Sequence, residues 1–148
     1  MVDSVIPEVV GQIEKSTTEH LDRNTCCFLT INPNKAFFIE NGPEAITFKK
    51  KFDAAIRQVS GNIKKYIIYK SGSVGDLKKI KIQYGIETGK VQHRVHCHLL
   101  LRIKHNADIQ INFESLHHDI CELMGCNCMM QHKWVRDSNV EEYIAKYF

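Results

Sequence analysis

The stretch that decides the fold reads RVHCHLLLRI and covers residues 94–103. Its side chains alternate in character, and alternation with a period of two is typical of a half-buried strand. The face that would meet a core carries Val95, Cys97, Leu99, Leu101 and Ile103. The opposite face carries Arg94, His96, His98, Leu100 and Arg102. Both imidazoles therefore leave the strand on the same side, where such a pair can chelate one metal ion.

The preceding segment, residues 80–87, alternates in the same way, with three isoleucines and a tyrosine on one face. A turn-prone stretch at residues 88–90 leads back into the histidine strand, so the pattern predicts a β-hairpin. Glu87 would then share the polar face with His96 and His98. Two neutral imidazoles and one carboxylate leave coordination positions open on a metal, as catalysis requires. The alternative is a solvated acid at a strand end, beside histidines that are merely polar.

Length and composition indicate one globular domain over residues 1–148, with 43% hydrophobic and 25% charged residues and a formal net charge of +3. No stretch is apolar enough to span a membrane, and the N-terminus does not read as a signal peptide. The six cysteines are therefore expected to be reduced thiols of an intracellular protein. Three of them, Cys121, Cys126 and Cys128, lie near histidines in the sequence, but their spacing matches no standard zinc module.

Lysines cluster near the predicted element ends, at residues 49–51, 64–65, 78–79 and 81. Tyr66, Tyr69 and Tyr84 lie among them. Basic side chains contact phosphates and tyrosine rings stack on unpaired bases, so this pattern permits nucleic-acid binding. A solvated, lysine-rich surface is the alternative.

The remaining elements follow from periodicity and from capping residues. Helices are predicted over residues 5–21, for about 15 residues from Pro43, from Asn112 or Ser115 to Met124, and over residues 139–148 after an N-cap at Asp137 or Ser138. The inward face of the second helix would be Ile46, Phe48, Phe52, Ala55, Ile56 and Val59. Further strands are predicted over residues 26–31, 63–69 and 128–135. Together these elements predict an α+β domain with an antiparallel sheet, helices on one face and the histidines exposed on the other.

In the last helix, Val140, Ile144, Tyr147 and Phe148 form an apolar arc. Tyr143 lies at the edge of that arc, and Lys146 lies next to it, three positions on. An ammonium beside a phenol can favour the phenolate or neutralise a phosphate. The alternative is a boundary tyrosine beside a surface lysine.

Three segments thus follow in one order: FLTINP at residues 28–33, Glu87 with His96 and His98, and YIAK at residues 143–146. This ordered set resembles the replication-initiator (Rep) endonucleases of the HUH superfamily, as in small circular single-stranded DNA viruses. The resemblance covers residues 26–148. It implies a ferredoxin-like or RNA-recognition-like fold with a central antiparallel sheet of about five strands.

The resemblance also implies roles for these residues. Glu87, His96 and His98 would bind one Mg²⁺ or Mn²⁺, and Tyr143 would attack a phosphate of single-stranded DNA in an origin hairpin or loop. Lys146 would assist, and the 5′-phosphotyrosine link would let the enzyme rejoin strands and initiate rolling-circle replication. Arg94, Arg102 and Lys81 are candidates for DNA contacts.

Tyr147 follows Tyr143 by one helical turn, so it is a candidate second nucleophile, as in two-tyrosine initiators. The chain has no phosphate-binding Gly-x-x-x-x-Gly-Lys loop, so any helicase domain of the family would lie outside it. Other expected partners are host replication proteins, in a host nucleus if the source is a eukaryotic DNA virus and otherwise in the cytoplasm.

Alternatives to this prediction are a single-domain HUH transposase and a noncatalytic single-strand-binding module. The transposases usually carry Gln where Lys146 stands, and the binding module would need neither Glu87 nor Tyr143. A histidine-triad hydrolase fits less well because Leu100 occupies the place of its third histidine.

Overall fold

The strands and helices follow the predicted order, with one additional strand. The strand predicted over residues 63–69 begins only at Ile67, because a 3₁₀ turn covers Ile63–Tyr66. The computed structural model describes residues 22–34, 42–89 and 94–148, so the helix predicted over residues 5–21 lies outside the described residues. Within them the strands are β1 (Arg23–Pro33), β2 (Ile67–Ser71), β3 (Leu77–Thr88), β4 (Val95–His105), β5 (Asp108–Ile111) and β6 (Cys128–Trp134). The α-helices are α1 (Pro43–Gly61), α2 (Phe113–Met124) and α3 (Val140–Tyr147), and short 3₁₀ turns cover Ile63–Tyr66, Val74–Asp76 and Asp137–Asn139.

The described strands form two antiparallel sheets, which confirms the predicted α+β class. The main sheet has four strands in the order β3-β4-β1-β6, and β2 pairs with β5 in a separate two-stranded sheet. This arrangement is compatible with a ferredoxin-like α+β fold, with its strands divided four and two where one sheet of about five was expected. The added strand, β5, has four residues that alternate polar and apolar, a short strand signal that the prediction missed.

Helices α1 and α2 cover one face of the main sheet and close the larger core. Inward residues of β1 and β4 meet Phe52, Ile56, Leu116 and Ile120 there, and each of these four is at most 2% exposed. The prediction that Ile46 faces inward is wrong, because its side chain is 47% exposed. Ala45 takes the buried position instead, and the next residue along a helix points about 100° away.

Helix ends follow the capping residues except in α3. The side chain of Asn112 accepts a hydrogen bond from the Ser115 amide, and Gly125 ends α2 at a φ of 67°. The last helix was predicted to start at residue 139 after a cap at Asp137 or Ser138. Instead a 3₁₀ turn occupies these positions, and the Asp137 carboxylate accepts a hydrogen bond from the Asn24 side chain at 3.2 Å.

The second face of the main sheet is partly covered by α3. Five buried residues form a small apolar cluster there: Cys26, Phe28, Leu100, Val135 and Val140. Leu100, which shares its strand face with the histidines, is fully buried. The helix thus covers one end of this face and leaves the histidine end open. No helix in the described part of the chain has the length and apolarity needed to cross a membrane.

Candidate active site

The register of the hairpin brings Glu87 and the two histidines into one patch. Glu87 pairs directly with His96 across β3 and β4, and Gly85 pairs with His98. On the other side of β4, Thr30 pairs with His98. Side chains that oppose each other across antiparallel strands have Cβ atoms about 4.5–5.5 Å apart. The backbone therefore holds one acid and two imidazoles within reach of a common point.

The side chains of this patch approach each other closely. Nε2 of His96 lies 3.6 Å from Oε1 of Glu87, and the His96 and His98 ring centroids are 4.9 Å apart. The Glu87 side chain is 60% exposed and that of His96 is 19% exposed. A ligand can thus reach the carboxylate from solvent, while the imidazoles are more sheltered.

A hydrogen bond orients the His96 ring, and burial favours the neutral form of His98. Nδ1 of His96 lies 3.4 Å from the carbonyl oxygen of Arg94. A carbonyl only accepts, so Nδ1 donates in this contact and the lone pair of a neutral ring is on Nε2, toward Glu87. Burial, and then the neighbouring His96, lowers the pKa of His98 below its ordinary value, although Glu87 opposes the shift. Neutral imidazole is the form that binds metals.

The three donors fit a divalent cation by type and by placement on the backbone. In the residues that the structure describes, no three His, Cys, Asp or Glu side chains are already arranged to hold a metal. His96 nevertheless neighbours both other donors, and successive residues on one strand face are about 7 Å apart. Bringing all three donors to a metal–ligand distance of about 2.0–2.2 Å would require rotation of these side chains. The register between β3 and β4 would stay as it is.

Phe28 joins the predicted nucleophile helix to this patch. Its ring stacks on His98 with centroids 5.4 Å apart, and it meets Tyr143 at 5.0 Å and Tyr147 at 4.6 Å. The Tyr147 ring also contacts the His98 ring, at 4.8 Å. Both tyrosines are half-buried at the margin of the apolar cluster under α3. The fold thus brings the helix carrying both phenols next to the histidines.

Lys146 is exposed, and its ammonium lies over the ring of Tyr147. Its Nζ is 5.2 Å from the centroid of the Tyr147 ring. The sequence placed this ammonium beside Tyr143, whereas the contact observed is with Tyr147. The ring centroids of Tyr143 and Tyr147 are 5.8 Å apart.

The candidate DNA-contacting residues fall at two places. Arg94 lies at the histidine end of β4, two residues before His96. Lys81 and Arg102 pair across β3 and β4 at the other end, beyond the buried Leu100. Arg102 donates to Gln83 at 3.0 Å, and Lys81 is exposed.

The three tyrosines that lie among the lysines have other roles in the fold. Tyr66 is 2% exposed and donates its hydroxyl proton to Asp119 at 2.7 Å. Tyr84 donates to Asp53 at 2.8 Å, and Tyr69 packs partly buried against the core. Two of these tyrosines thus bind acids on α1 and α2, and the third packs on the core. Their rings are therefore not presented to solvent for stacking on bases.

Two further groups are structural. His105 is 3% exposed, and its ring nitrogens lie 2.7 Å from Thr25 Oγ1 and 2.7 Å from the Ala107 carbonyl oxygen. Cys121 and Cys128 meet where α2 leads into β6, since the Cys128 amide donates to the Cys121 sulfur at 3.3 Å. Burial and the nearby Cys121 and Cys126 raise the pKa of the Cys128 thiol. All six cysteines are free thiols.

Phe28 is the site residue whose role the sequence did not reveal. Its segment was noted only as a strand motif. Cys26 and Phe28 are apolar residues on the strand face opposite the core, and a strand that is apolar on both faces indicates cover on both. That signal predicts a covering element without saying which helix supplies it.

No protein-family model and no curated protein sequence matches this chain.

Proposed function

We propose that this chain nicks and rejoins single-stranded DNA through a tyrosine nucleophile with a divalent cation, as HUH replication initiators do. The observation that carries the proposal is the meeting of Glu87, His96 and His98 with the tyrosine helix on the sheet face that α3 partly covers. The shortest link is the 4.8 Å contact between the His98 and Tyr147 rings. The ordered motifs in the sequence give the same residues independently.

The reaction that we infer uses the chain's own groups at each stage. Glu87, His96 and His98 would hold Mg²⁺ or Mn²⁺, whose chemistry when bound is to neutralise charge on the oxygens of the scissile phosphate. The Tyr143 oxygen attacks phosphorus in line and forms the new P–O bond as the bond to the 3′ oxygen breaks. The phenol loses its proton and the departing 3′ oxygen gains one. Attack by a later 3′-hydroxyl reverses the step and joins strands.

The roles of the two tyrosines remain distinct in this proposal. We assign the attack to Tyr143, whose position before Lys146 forms the Tyr-x-x-Lys pattern. Tyr147 contacts His98, so a second attack by Tyr147 is the other assignment that the contacts support. Initiation of rolling-circle replication is the process that such a reversible nick would serve.

The test is formation of a covalent adduct. A labelled library of single-stranded oligonucleotides is incubated with the protein and Mn²⁺ and analysed on a denaturing gel. We expect a protein–DNA adduct that EDTA prevents and that Tyr143→Phe abolishes. Tyr69→Phe is the matched control, since it also removes one phenol but lies in the two-stranded sheet.

The same assay separates the alternatives. An adduct that survives Tyr143→Phe and disappears in Tyr147→Phe would move the nucleophile by one helical turn. Binding of the library without an adduct under any metal would overturn the nuclease and favour a passive single-strand-binding module. His96→Ala and His98→Ala should each abolish nicking and retain much of the DNA affinity, because phosphate contacts elsewhere carry most of the binding.

A further inference from the structure

An exposed aromatic platform lies on the opposite side of the sheet from the candidate active site. It consists of Phe113, His132 and Trp134. The Phe113 and His132 rings stack with centroids 3.9 Å apart and an interplanar angle of 7°. Trp134 meets Phe113 edge-on at 5.7 Å and His132 at 5.8 Å. The Trp134 side chain is nevertheless 54% exposed.

The platform is open because α2 begins too late to cover it. Along β6, Cys128 is buried and Met130 is half-buried under the helices, while the next two residues on that face, His132 and Trp134, are exposed. Phe113 is the first residue of α2, and its ring contacts both of them. Among the described strands β6 is an outer strand of the main sheet, so the rings lie at an edge of that sheet.

Strand β6 connects the platform to the candidate active site. Gln131 of β6 pairs with Thr30, which in turn pairs with His98, so one row of residues crosses from the site to the edge. Trp134 is three residues further along β6, about 10 Å at the usual rise of a strand. A strand of DNA that leaves the site across this row therefore has a short path over the edge to the rings.

We propose that this platform stacks unpaired bases of the same DNA strand on which the candidate active site acts, an inference that rests on the proposed function. Exposed Lys133 and Arg136 flank Trp134 in the sequence and supply the positive charge that a phosphate backbone needs. Gln131, next to His132 in the strand, is exposed and polar. Stacking on rings accepts any base and needs no hydrogen-bond pattern.

The platform has its own spectroscopic reporter, because Trp134 is the only tryptophan in the chain. In EDTA, an oligothymidylate of about 15 nucleotides should quench its fluorescence as it binds. By anisotropy of the labelled oligonucleotide, Trp134→Ala should raise Kd about tenfold, and Trp134→Phe, which keeps a ring, should raise it less. Ile68→Ala, at a 43% exposed apolar residue of β2, is the matched control and should leave Kd unchanged.

The outcomes separate this proposal from the nuclease. An adduct with Mn²⁺ together with no quenching and wild-type Kd in Trp134→Ala would overturn the platform and leave the nuclease standing. Quenching and weakened binding without any adduct would support the platform and overturn the nuclease. The rings would instead be a contact between copies of the chain if two results came together. The mass of the wild type would increase with concentration, an increase abolished in both Trp134→Ala and Trp134→Phe, and DNA would leave the fluorescence unchanged. Thermal unfolding of each variant checks that it is folded.

Discussion

The two faces of the main sheet are built on different principles. On the face covered by α1 and α2, apolar side chains from every strand meet apolar helix residues, and Phe52 is completely buried. On the other face, α3 covers a small cluster around Phe28 and Leu100 and stops where the histidines begin. One face therefore holds the domain together, while the other uses a little apolar packing to place polar groups. Substitutions on the first face should therefore lower stability, and substitutions on the second should lower activity more than stability.

The largest loss of stability is expected on the closed face. Phe52→Ala should lower the free energy of unfolding by about 3–5 kcal/mol, because it leaves a cavity in a fully packed core. Denaturant unfolding measures the change. Phe148→Ala, at a ring that is 42% exposed, is the matched control and should change stability far less. Equal losses in the two variants would contradict the division between the faces.

Removal of the buried histidine hydrogen bonds comes next. His105→Gln should lower the free energy of unfolding by about 1–3 kcal/mol at pH 7.5. The reason is that Thr25 Oγ1 and the Ala107 carbonyl oxygen lose their hydrogen bonds to the imidazole inside the protein. Burial lowers the pKa of His105 below its ordinary value, so the folded state favours the neutral ring. The unfolded chain takes up the proton near pH 6.5, so the contribution of His105 is complete above about pH 6.5 and is lost as the pH falls below it.

The pH dependence itself is the sharper measurement for His105. Unfolding of wild type and His105→Gln between pH 7.5 and 5.5 should show a smaller loss of stability on acidification in the variant. His118→Gln, at a side chain that is 69% exposed, should keep the wild-type dependence. An unchanged difference between wild type and His105→Gln across this range would refute a neutral, buried His105.

On the face that α3 partly covers, loss of the Phe28 ring should affect activity more than stability. Phe28→Leu should cost less than about 1.5 kcal/mol, since an apolar residue of similar size still fills the site. Adduct formation should fall about ten- to a hundredfold, because this ring contacts His98 and both tyrosines and small displacements of reacting groups slow a reaction strongly. Rate measurements beside Phe148→Leu test this, and a wild-type rate in Phe28→Leu would show that the ring does not position the helix.

The smallest effect on stability is expected at the acid. Glu87→Gln should change the free energy of unfolding by no more than about 0.5 kcal/mol, because its side chain is 60% exposed and its contact with His96 is a surface pair. The same variant should abolish metal-dependent adduct formation. Glu122→Gln, at an acid that is 72% exposed on α2, is the control for removal of one charge. Full activity in Glu87→Gln would remove this acid from the proposed site.

The sequence by itself determined much of the local structure, although it missed β5 and the start of α3. Period-two alternation predicted strands β3 and β4 and which of their residues face the core. Capping residues predicted the ends of α2. Both signals depend only on neighbours along the chain. The same alternation put Glu87, His96 and His98 on one face, because a strand's side chains point by parity. Even Leu100 was assigned to the correct face, although nothing in the alternation said that a helix would bury it.

Only the tertiary structure decided what covers each face. The separate pairing of β5 with β2, the position of α3 over Phe28, and the contact of Tyr147 with His98 all join residues that are far apart in the chain. The free face of β6 at Trp134 likewise depends on where α2 starts relative to that strand. Periodicity fixes the direction in which a side chain leaves its own element, but its neighbours are fixed by the packing of whole elements, which balances apolar burial across the entire domain.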